Sequence, residues 1–433
     1  APTDDIVRTT QPRHYQASTA IWERMKAKGD IYLSKYSGWY SVRDEAYYDE
    51  AELTKGADGK YIAPTGTPVD WVEEESYFFK LSAYADRLLA HYEKHPDFIM
   101  PEKYRNEIVA FVKRGLSDLS ISRTTFNWGV PVPGDQRHVM YVWVDALTNY
   151  LTATGFPDTT ASRASFWPAN VHVIGKDITR FHAIYWPAFL MSAEIALPQQ
   201  DILVHGFLFN RGEKMSKSVG NVIDPFTLAE HYGIDQLRYF FLREVPFGQD
   251  GNYSHEAIVA RMNADLANDL GNLAQRSLSM IAKNCAAHVP AHGAFTPEDR
   301  AILDQAQNLS GKVNELMKDY ALHLMLAEIW RVVAEANRYF ANEEPWKKAK
   351  SDPERMQTIL YVTAEVLRNI AIMAQPVIPL AASLLLDLLG QSQALRQFEH
   401  VGAAHALQSG IALPAPKPIF PRYVESEDKA SQN

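Results

Sequence analysis

Phe207-Leu-Phe-Asn-Arg-Gly-Glu-Lys-Met-Ser-Lys-Ser-Val-Gly-Asn221 sets two lysines, Lys214 and Lys217, among the hydroxyls of Ser216 and Ser218. Ahead of it, Ile202-Leu-Val-His-Gly206 reads as a short buried strand that runs into a glycine. Behind it, Asp224 is an N-cap and Pro225 stands at the first helical position, so a helix is predicted through Phe226 to Tyr232, stopping at Gly233. A strand, an exposed basic loop turned by Arg211-Gly212 and a capped helix are together suited to wrap an anionic group that moves during a reaction.

Toward the amino terminus, Val171-His-Val-Ile-Gly175 is a second predicted strand, followed by a helix over Ile178 to Met191. Val139-Met-Tyr-Val-Trp-Val144 reads as a central strand ending at Asp145-Ala146, where a helix from Leu147 to Leu151 begins. With Asp201 to Val204 these alternate strand and helix, which predicts an α/β fold containing half of a doubly wound parallel sheet. Ligands of such sheets lie at the carboxyl ends of the strands. That rule selects Trp143 and Asp145, then Gly175, Lys176 and Asp177, then His205 and Gly206. Phe181, His182, Tyr185 and Trp186 follow on the next helix, divided between ligand and core.

The frame agrees with an enzyme of several domains. The chain has 433 residues, 46% of them apolar or aromatic, enough for a core in each domain. No apolar run is long enough for a membrane span and no signal-peptide pattern opens the sequence, so a soluble cytoplasmic protein is expected. The single cysteine, Cys285, excludes an intramolecular disulfide and a thiolate zinc cluster. A net charge of −9 argues against a protein that coats nucleic acid, and leaves room for one that grips a folded RNA through local basic patches.

Lys214-Met-Ser-Lys-Ser218 is the signature loop of class I aminoacyl-tRNA synthetases, and the blocks around it resemble the methionyl-tRNA synthetases. Tyr141-Val-Trp-Val-Asp-Ala146 with Tyr150, and Ile174-Gly-Lys-Asp-Ile178 with Phe181-His182 and Trp186, look like the blocks that build that family's amino-acid pocket. The resemblance implies a pocket for the thioether of L-methionine lined by Trp143, Ala146, Leu147, Tyr150, Phe181, His182 and Trp186. Aromatic edges suit sulfur, each contact contributing about 0.3–1.5 kcal/mol. Many family members carry proline where this chain has Leu147. Asp177 would face the substrate ammonium, and Arg123 would act from the rim, on the substrate or in an ion pair. ATP would be held by Gly175, Lys176, His205, Gly206, Lys214, Met215, Ser216, Lys217 and Ser218, with Mg²⁺ accompanying it. Lys214 and Lys217 would carry the catalytic charge together with Asp177.

Residues 31–98 resemble the family's connective insertion, with Gly38-Trp39-Tyr40 and Glu73-Glu74 as matching blocks. Many members hold zinc there, but no cysteine lies between Ala1 and Asn284, so no structural zinc is expected and aromatic packing must hold the insertion. Within it, Ile31 to Arg43 reads as a short strand, a turn and a second strand, and Glu73-Glu74-Glu75 as the solvated start of a helix opened by Tyr77, Phe78, Phe79 and Leu81. On this division, residues 1–30 and 99–213 form the catalytic domain, 214–254 the signature loop and stem-contact region, and 255–433 an all-α anticodon-binding bundle.

In that last region Asp235 is predicted to cap a helix running to Glu244, and Ile258, Met262, Leu266, Leu270 and Leu273 form one apolar stripe. Helices are predicted over Pro297 to Leu309, Val313 to Glu344 with a break near Tyr320, Asp352 to Gln375, and Pro379 to Leu388. Asn272 and Arg276 are four apart and share a face, while Trp346 after Pro345 offers a stacking plane. Taken alone, these could be a solvated amide, an ion-paired arginine and a helix-joint tryptophan. The match of Asn272-Leu-Ala-Gln-Arg276 and Asn342-Glu-Glu-Pro-Trp346 to the family implies a reader of the CAU anticodon of tRNA(Met).

One family block is not found: nothing between Ala1 and Lys214 matches the HIGH sequence that class I synthetases place at their first strand-to-helix turn. The sequence therefore reads as a synthetase whose first nucleotide-binding segment precedes residue 1, and a chain without that segment is expected to form no adenylate. The alternatives are a non-catalytic tRNA-binding remnant, or a valyl-, leucyl- or cysteinyl-tRNA synthetase; the editing insertion of the first two and the cysteine-bound zinc of the third are missing. With no appended C-terminal barrel module, a monomer is expected.

Overall fold

Asp70 to Phe79 carries the two-residue alternation of a half-buried strand, with Ser76 and Phe78 buried and Trp71 and Glu73 exposed. The structure, a computed structural model, describes residues 5–44, 46–56, 59–198, 202–210, 212–214 and 224–425. It groups the chain into two units, Ala1–Val204 and His205–Asn433.

In the first unit, strand Ile31–Ser41 pairs antiparallel with Asp70–Phe79, from Ile31↔Phe79 to Tyr40↔Asp70. Two expectations are corrected here. Residues 31–41 form one long strand without an internal turn, and Glu73 to Phe79 continue a strand where a helix was expected. The acidic run obscured the period because Glu73 is exposed and Glu75 half-buried on the wet side of a strand whose other side buries Ser76 and Phe78. Aromatic pairs hold the sheet as anticipated, Trp39 lying 4.4 Å from Tyr61 and 5.4 Å from Trp71, and Tyr40 4.7 Å from Tyr47. A polar knot was not anticipated. Asp44 Oδ2 accepts the hydroxyls of Tyr48 (2.9 Å), Thr65 and Thr67, and Thr67 meets Ser41 Oγ at 2.9 Å.

The α/β part rests on a three-stranded sheet in the order His172–Gly175, Ile202–His205, Ile99–Met100, the last two strands parallel. Helix Pro12–Ala27 presses Ile21, Trp22 and Met25 into the same core as Leu88, Leu151, Phe189 and Val204. The expected central strand over 139–144 is also corrected. Strand Asp135–Met140 lies in a separate antiparallel sheet between Ser122–Arg123 and Pro131–Val132, and the chain is helical from Val142 to Thr154. A short apolar run does not distinguish strand from buried helix. The deciding signal lies further on: Val144, Leu147, Thr148, Leu151 and Thr152 are all buried at helical spacing.

The second unit is a helical bundle preceded by a small sheet. Its apolar stripe is fully buried, and the repeated spacing of four has a cause. Between helices His255–Arg261 and Asn272–Asn284 the chain winds as a π-helix over Met262–Gly271, which keeps residues four and five apart on one side. Asp235 is corrected as a cap. Gly233, at φ 95°, turns the chain into helix Ile234–Glu244, and the buried Asp235 carboxylate accepts the Ala381 N–H at 2.7 Å, at the start of helix Pro379–Leu388. Tyr320, at φ 52°, breaks Leu309–Lys318 from Leu322–Glu343 as expected, and Asp352 caps Pro353–Ala374. That last helix is buried at every residue from Thr358 to Ala374. It tolerates charge because Glu365 and Arg368 pair at 2.6 Å, while Arg368 also donates to the carbonyls of His400 and Gly402. Among the described residues no helix is long and apolar enough to cross a membrane.

Candidate functional site

Helix Val142–Thr154 presents Trp143, Ala146 and Tyr150 on one side, three and four residues apart. Facing them is a turn of π-helix, Phe181–Tyr185, continued by Trp186–Ser192. Pro187 explains part of this geometry: it has no N–H to give the Ala183 carbonyl, which instead accepts the hydroxyl of the buried Tyr92 at 2.5 Å. Trp143 stacks on Phe181 with centroids 3.8 Å apart and planes 10° from parallel. Tyr150 and His182 meet at 2.7 Å, and His182 Nδ1 lies 3.0 Å from the Ile178 carbonyl. A carbonyl only accepts, so Nδ1 carries the proton and Nε2 accepts the Tyr150 hydroxyl. Burial pushes the His182 pKa down and that of Tyr150 up, so both are neutral near pH 7. Leu147 and Trp186, each 1% exposed, lie deepest; Trp143, Ala146, Tyr150 and Phe181 keep surface.

The rim is assembled from distant segments. Arg123 is buried, donates to Ser120 Oγ (2.9 Å) and the Ser122 carbonyl (2.7 Å), and lies 4.6 Å from the centre of the Tyr141 ring. Beneath it Ser122 Oγ accepts the Tyr77 N–H and meets His138 Nδ1 at 3.0 Å. Asp145, expected at a strand end, lies on the helix and is matched by the fully buried His14, at 2.6 Å, whose other nitrogen meets Thr152 Oγ1 at 2.8 Å. Gly175 ends its strand as anticipated, Lys176 is half-buried, and Asp177 is exposed. Sequence reasoning missed His14, His138 and His172: Asp145 and Thr152 meet His14, and Ser122 meets His138, across stretches of chain where no periodicity reaches, and His172 is packed against the ring of Tyr150.

In the second unit His205 ends its strand and Gly206 follows. Gly206 has a steric reason: a Cβ there would come within 2.2 Å of the Gln249 carbonyl oxygen. Strand Leu208–Asn210 then pairs parallel with Gly251–Tyr253 and antiparallel with Glu213–Lys214, bringing the backbone of Lys214 opposite Phe209. Met215, Ser216, Lys217 and Ser218 lie outside the described residues. In the bundle, Arg276 and Trp346 are brought together: the guanidinium lies 5.3 Å from the Trp346 ring and 5.1 Å from that of Phe340. Trp346 remains 42% exposed, and Asn272 is exposed one turn before Arg276. Among the described residues no group of three or more His, Cys, Asp or Glu side chains is placed to hold a metal ion.

Comparison with known proteins divides the chain further along, between residues 278 and 289. Residues 2–278 match the family model for class I tRNA synthetases of the methionine type, and residues 289–433 that for the anticodon-binding domain of methionyl tRNA ligase. The methionine–tRNA ligase of Brucella suis is 67% identical over 426 residues, covering 98% of this chain and 82% of the relative. That of Mesorhizobium japonicum is 64% identical over 422 residues, covering 98% and 81%. Mycobacterium tuberculosis methionyl-tRNA synthetase in complex with methionyl-adenylate superposes with a TM-score of 0.92 at 57% identity, over 97% of this chain and 83% of that one.

Proposed function

The chain belongs to the methionyl-tRNA synthetases, which ligate methionine to tRNA with ATP, and on that premise we propose how its own residues divide the work. The observation that carries the proposal is the closed aromatic nest in which His182 accepts the Tyr150 hydroxyl beside the Trp143–Phe181 stack. With the polar edges of Tyr150 and His182 satisfied by each other, Trp143, Ala146, Leu147, Tyr150, Phe181, His182 and Trp186 offer an apolar, polarisable surface to the thioether of L-methionine. Asp177, exposed on the 3-10 turn Lys176–Ile178 that follows its strand, takes the α-ammonium, and Arg123 acts at the rim.

The methionine carboxylate attacks the α-phosphorus of ATP; an O–P bond forms, the bond to the β-phosphate breaks, and pyrophosphate leaves. The 3′-terminal adenosine hydroxyl of tRNA then attacks the acyl carbonyl and AMP departs. Neither step needs a side-chain nucleophile, so the protein supplies alignment and charge. ATP enters as its Mg²⁺ complex. Lys214 and Lys217, with Met215, Ser216 and Ser218, neutralise the leaving phosphates, Lys217 most of all, and Gly175, Lys176, His205 and Gly206 bind the nucleotide. Asn272, Arg276 and Trp346 read the CAU anticodon, the cation on one Trp346 face extending the stacking platform. The enzyme works as a cytoplasmic monomer with the catalytic, insertion, stem-contact and bundle segments drawn from the sequence.

Calorimetric titration with L-methionine tests the pocket, and methionine-dependent exchange of pyrophosphate into ATP, measured on protein that also carries a HIGH-containing segment, tests the first step. Binding that Tyr150→Ala abolishes supports the assignment; wild-type protein that takes up no methionine refutes it.

A further inference from the structure

Three buried nitrogens beside the aromatic nest, His172 Nδ1, His172 Nε2 and Trp186 Nε1, have no hydrogen-bond partner among the described residues. His172 is 4% exposed and Trp186 1%. The His172 ring stands perpendicular to that of Tyr150 at 4.5 Å and lies 6.2 Å from His182. Trp186 lies 6.2 Å from the same Tyr150 ring, and Trp167 touches both, at 6.3 Å from His172 and 5.9 Å from Trp186. Buried polar groups are nearly always paired, and the neighbours obey that rule. The Tyr150 hydroxyl goes to His182, His182 donates to the Ile178 carbonyl, and Trp167 Nε1 donates to the Ala196 carbonyl at 2.9 Å. Burial pushes the His172 pKa down to about 4, so its ring is neutral near pH 7. A neutral imidazole has one N–H and one lone pair, and an indole has one N–H. Two donors and one acceptor are thus left unanswered around a single tyrosine ring.

We propose that His172 and Trp186 form a polar subsite at the inner end of the nest that receives a hydrogen-bond-accepting oxygen. With a thioether side chain bound, that oxygen is an ordered water; with a sulfoxide side chain, it is the substrate's own sulfinyl oxygen. His172 is therefore a specificity-determining residue, which sets how well the pocket takes an oxidised side chain. The inference rests on the methionine-pocket reading.

The test is calorimetric titration of the chain and of its His172→Phe variant with L-methionine and L-methionine sulfoxide. The expected result is that the wild type binds both, methionine the more tightly, and that His172→Phe weakens sulfoxide by about tenfold while methionine stays within about threefold. His172→Gln, which keeps a donor and an acceptor, restores sulfoxide binding, and serves as the comparison should the phenylalanine variant misfold. Parallel losses for the two ligands, no loss for either, or a wild type that takes methionine but no sulfoxide overturns the proposal. If the wild type binds no methionine, the pocket reading itself fails and the subsite is judged by NMR. A magnetisation transfer from water to the Trp186 indole N–H, assigned with Trp186→Phe, supports the subsite, and its absence overturns it.

Discussion

In the bundle, helix Pro353–Ala374 is enclosed at every residue from Thr358 onward, whereas in the antiparallel sheet of residues 31–79 strand Ile31–Ser41 leaves Tyr32, Leu33, Ser34 and Lys35 exposed. The bundle buries so much apolar surface that it can enclose ion pairs: Glu365 with Arg368, and Asp299 with Arg355 and the Tyr339 hydroxyl. Among the described residues of 31–79 the buried apolar side chains are few: Ile31, Tyr40, Ala63, Val69, Phe78 and Phe79. The sheet region concentrates its hydrogen bonds on one carboxylate, Asp44, and its apolar contacts on a few aromatic pairs. Charge inside the bundle is therefore expensive to disturb, while charge in that sheet is local and partly wetted.

The largest effect that could break this contrast is at Arg368. Arg368→Met leaves Glu365 buried without its partner and should cost about 3–5 kcal/mol in urea unfolding of the bundle, while Glu365→Leu combined with Arg368→Met should cost less than the single change. A single-variant cost below about 1 kcal/mol would mean the pair is not truly desolvated. Next comes Asp44→Ala, which strands the hydroxyls of Tyr48, Thr65 and Thr67. It should cost about 1–3 kcal/mol locally, seen as faster proteolysis between 56 and 67 with the bundle transition unmoved. A shifted bundle transition would show that the two regions do not fail separately.

Acid sharpens the same comparison. Burial works to raise the Asp299 pKa, but hydrogen bonds from Arg355 and Tyr339 outweigh it and the net value lies below the ordinary 3.8. A carboxylate depressed on folding contributes stability that is present above its ordinary value and lost as pH falls through the lowered one. The melting temperature of the wild type should therefore fall with acid below about pH 3.8, and Asp299→Asn should remove part of that dependence while lowering stability at neutral pH. The smallest stability effect is expected at the bundle's exposed edge. Trp346→Ala should move the unfolding midpoint little, yet weaken binding of an anticodon stem-loop by about 1–3 kcal/mol, measured by fluorescence titration. Equal loss of stability would assign Trp346 to the joint between helices.

Legibility followed the range of the signal. Pro379–Leu388, the Tyr320 break and the helix over 352–375 were readable because prolines and helical spacing act within a few residues, while the role of Asp352 as the cap of that last helix came from the structure. The strand foreseen at 201–204 does lie beside the foreseen strand His172–Gly175, but its other neighbour, with which it runs parallel, proved to be the two-residue strand Ile99–Met100, too short to announce itself. The helix at 142–154 and the strand at 70–79 were misread because each begins in a run whose local texture fits either state, and a partner elsewhere chose between them.

The residues alone determined the family, the signature loop, the aromatic blocks around Trp143 and Phe181 and the bundle's helices, since all of these reside in short contiguous motifs. Folding decided the rest: that Asp145 answers His14, that Asp235 caps a helix which begins at Pro379, and that His172 arrives unpaired beside Tyr150. Each depends on burial bringing together groups far apart in the chain, where the loss of water makes every unmatched polar atom costly and so selects its partner.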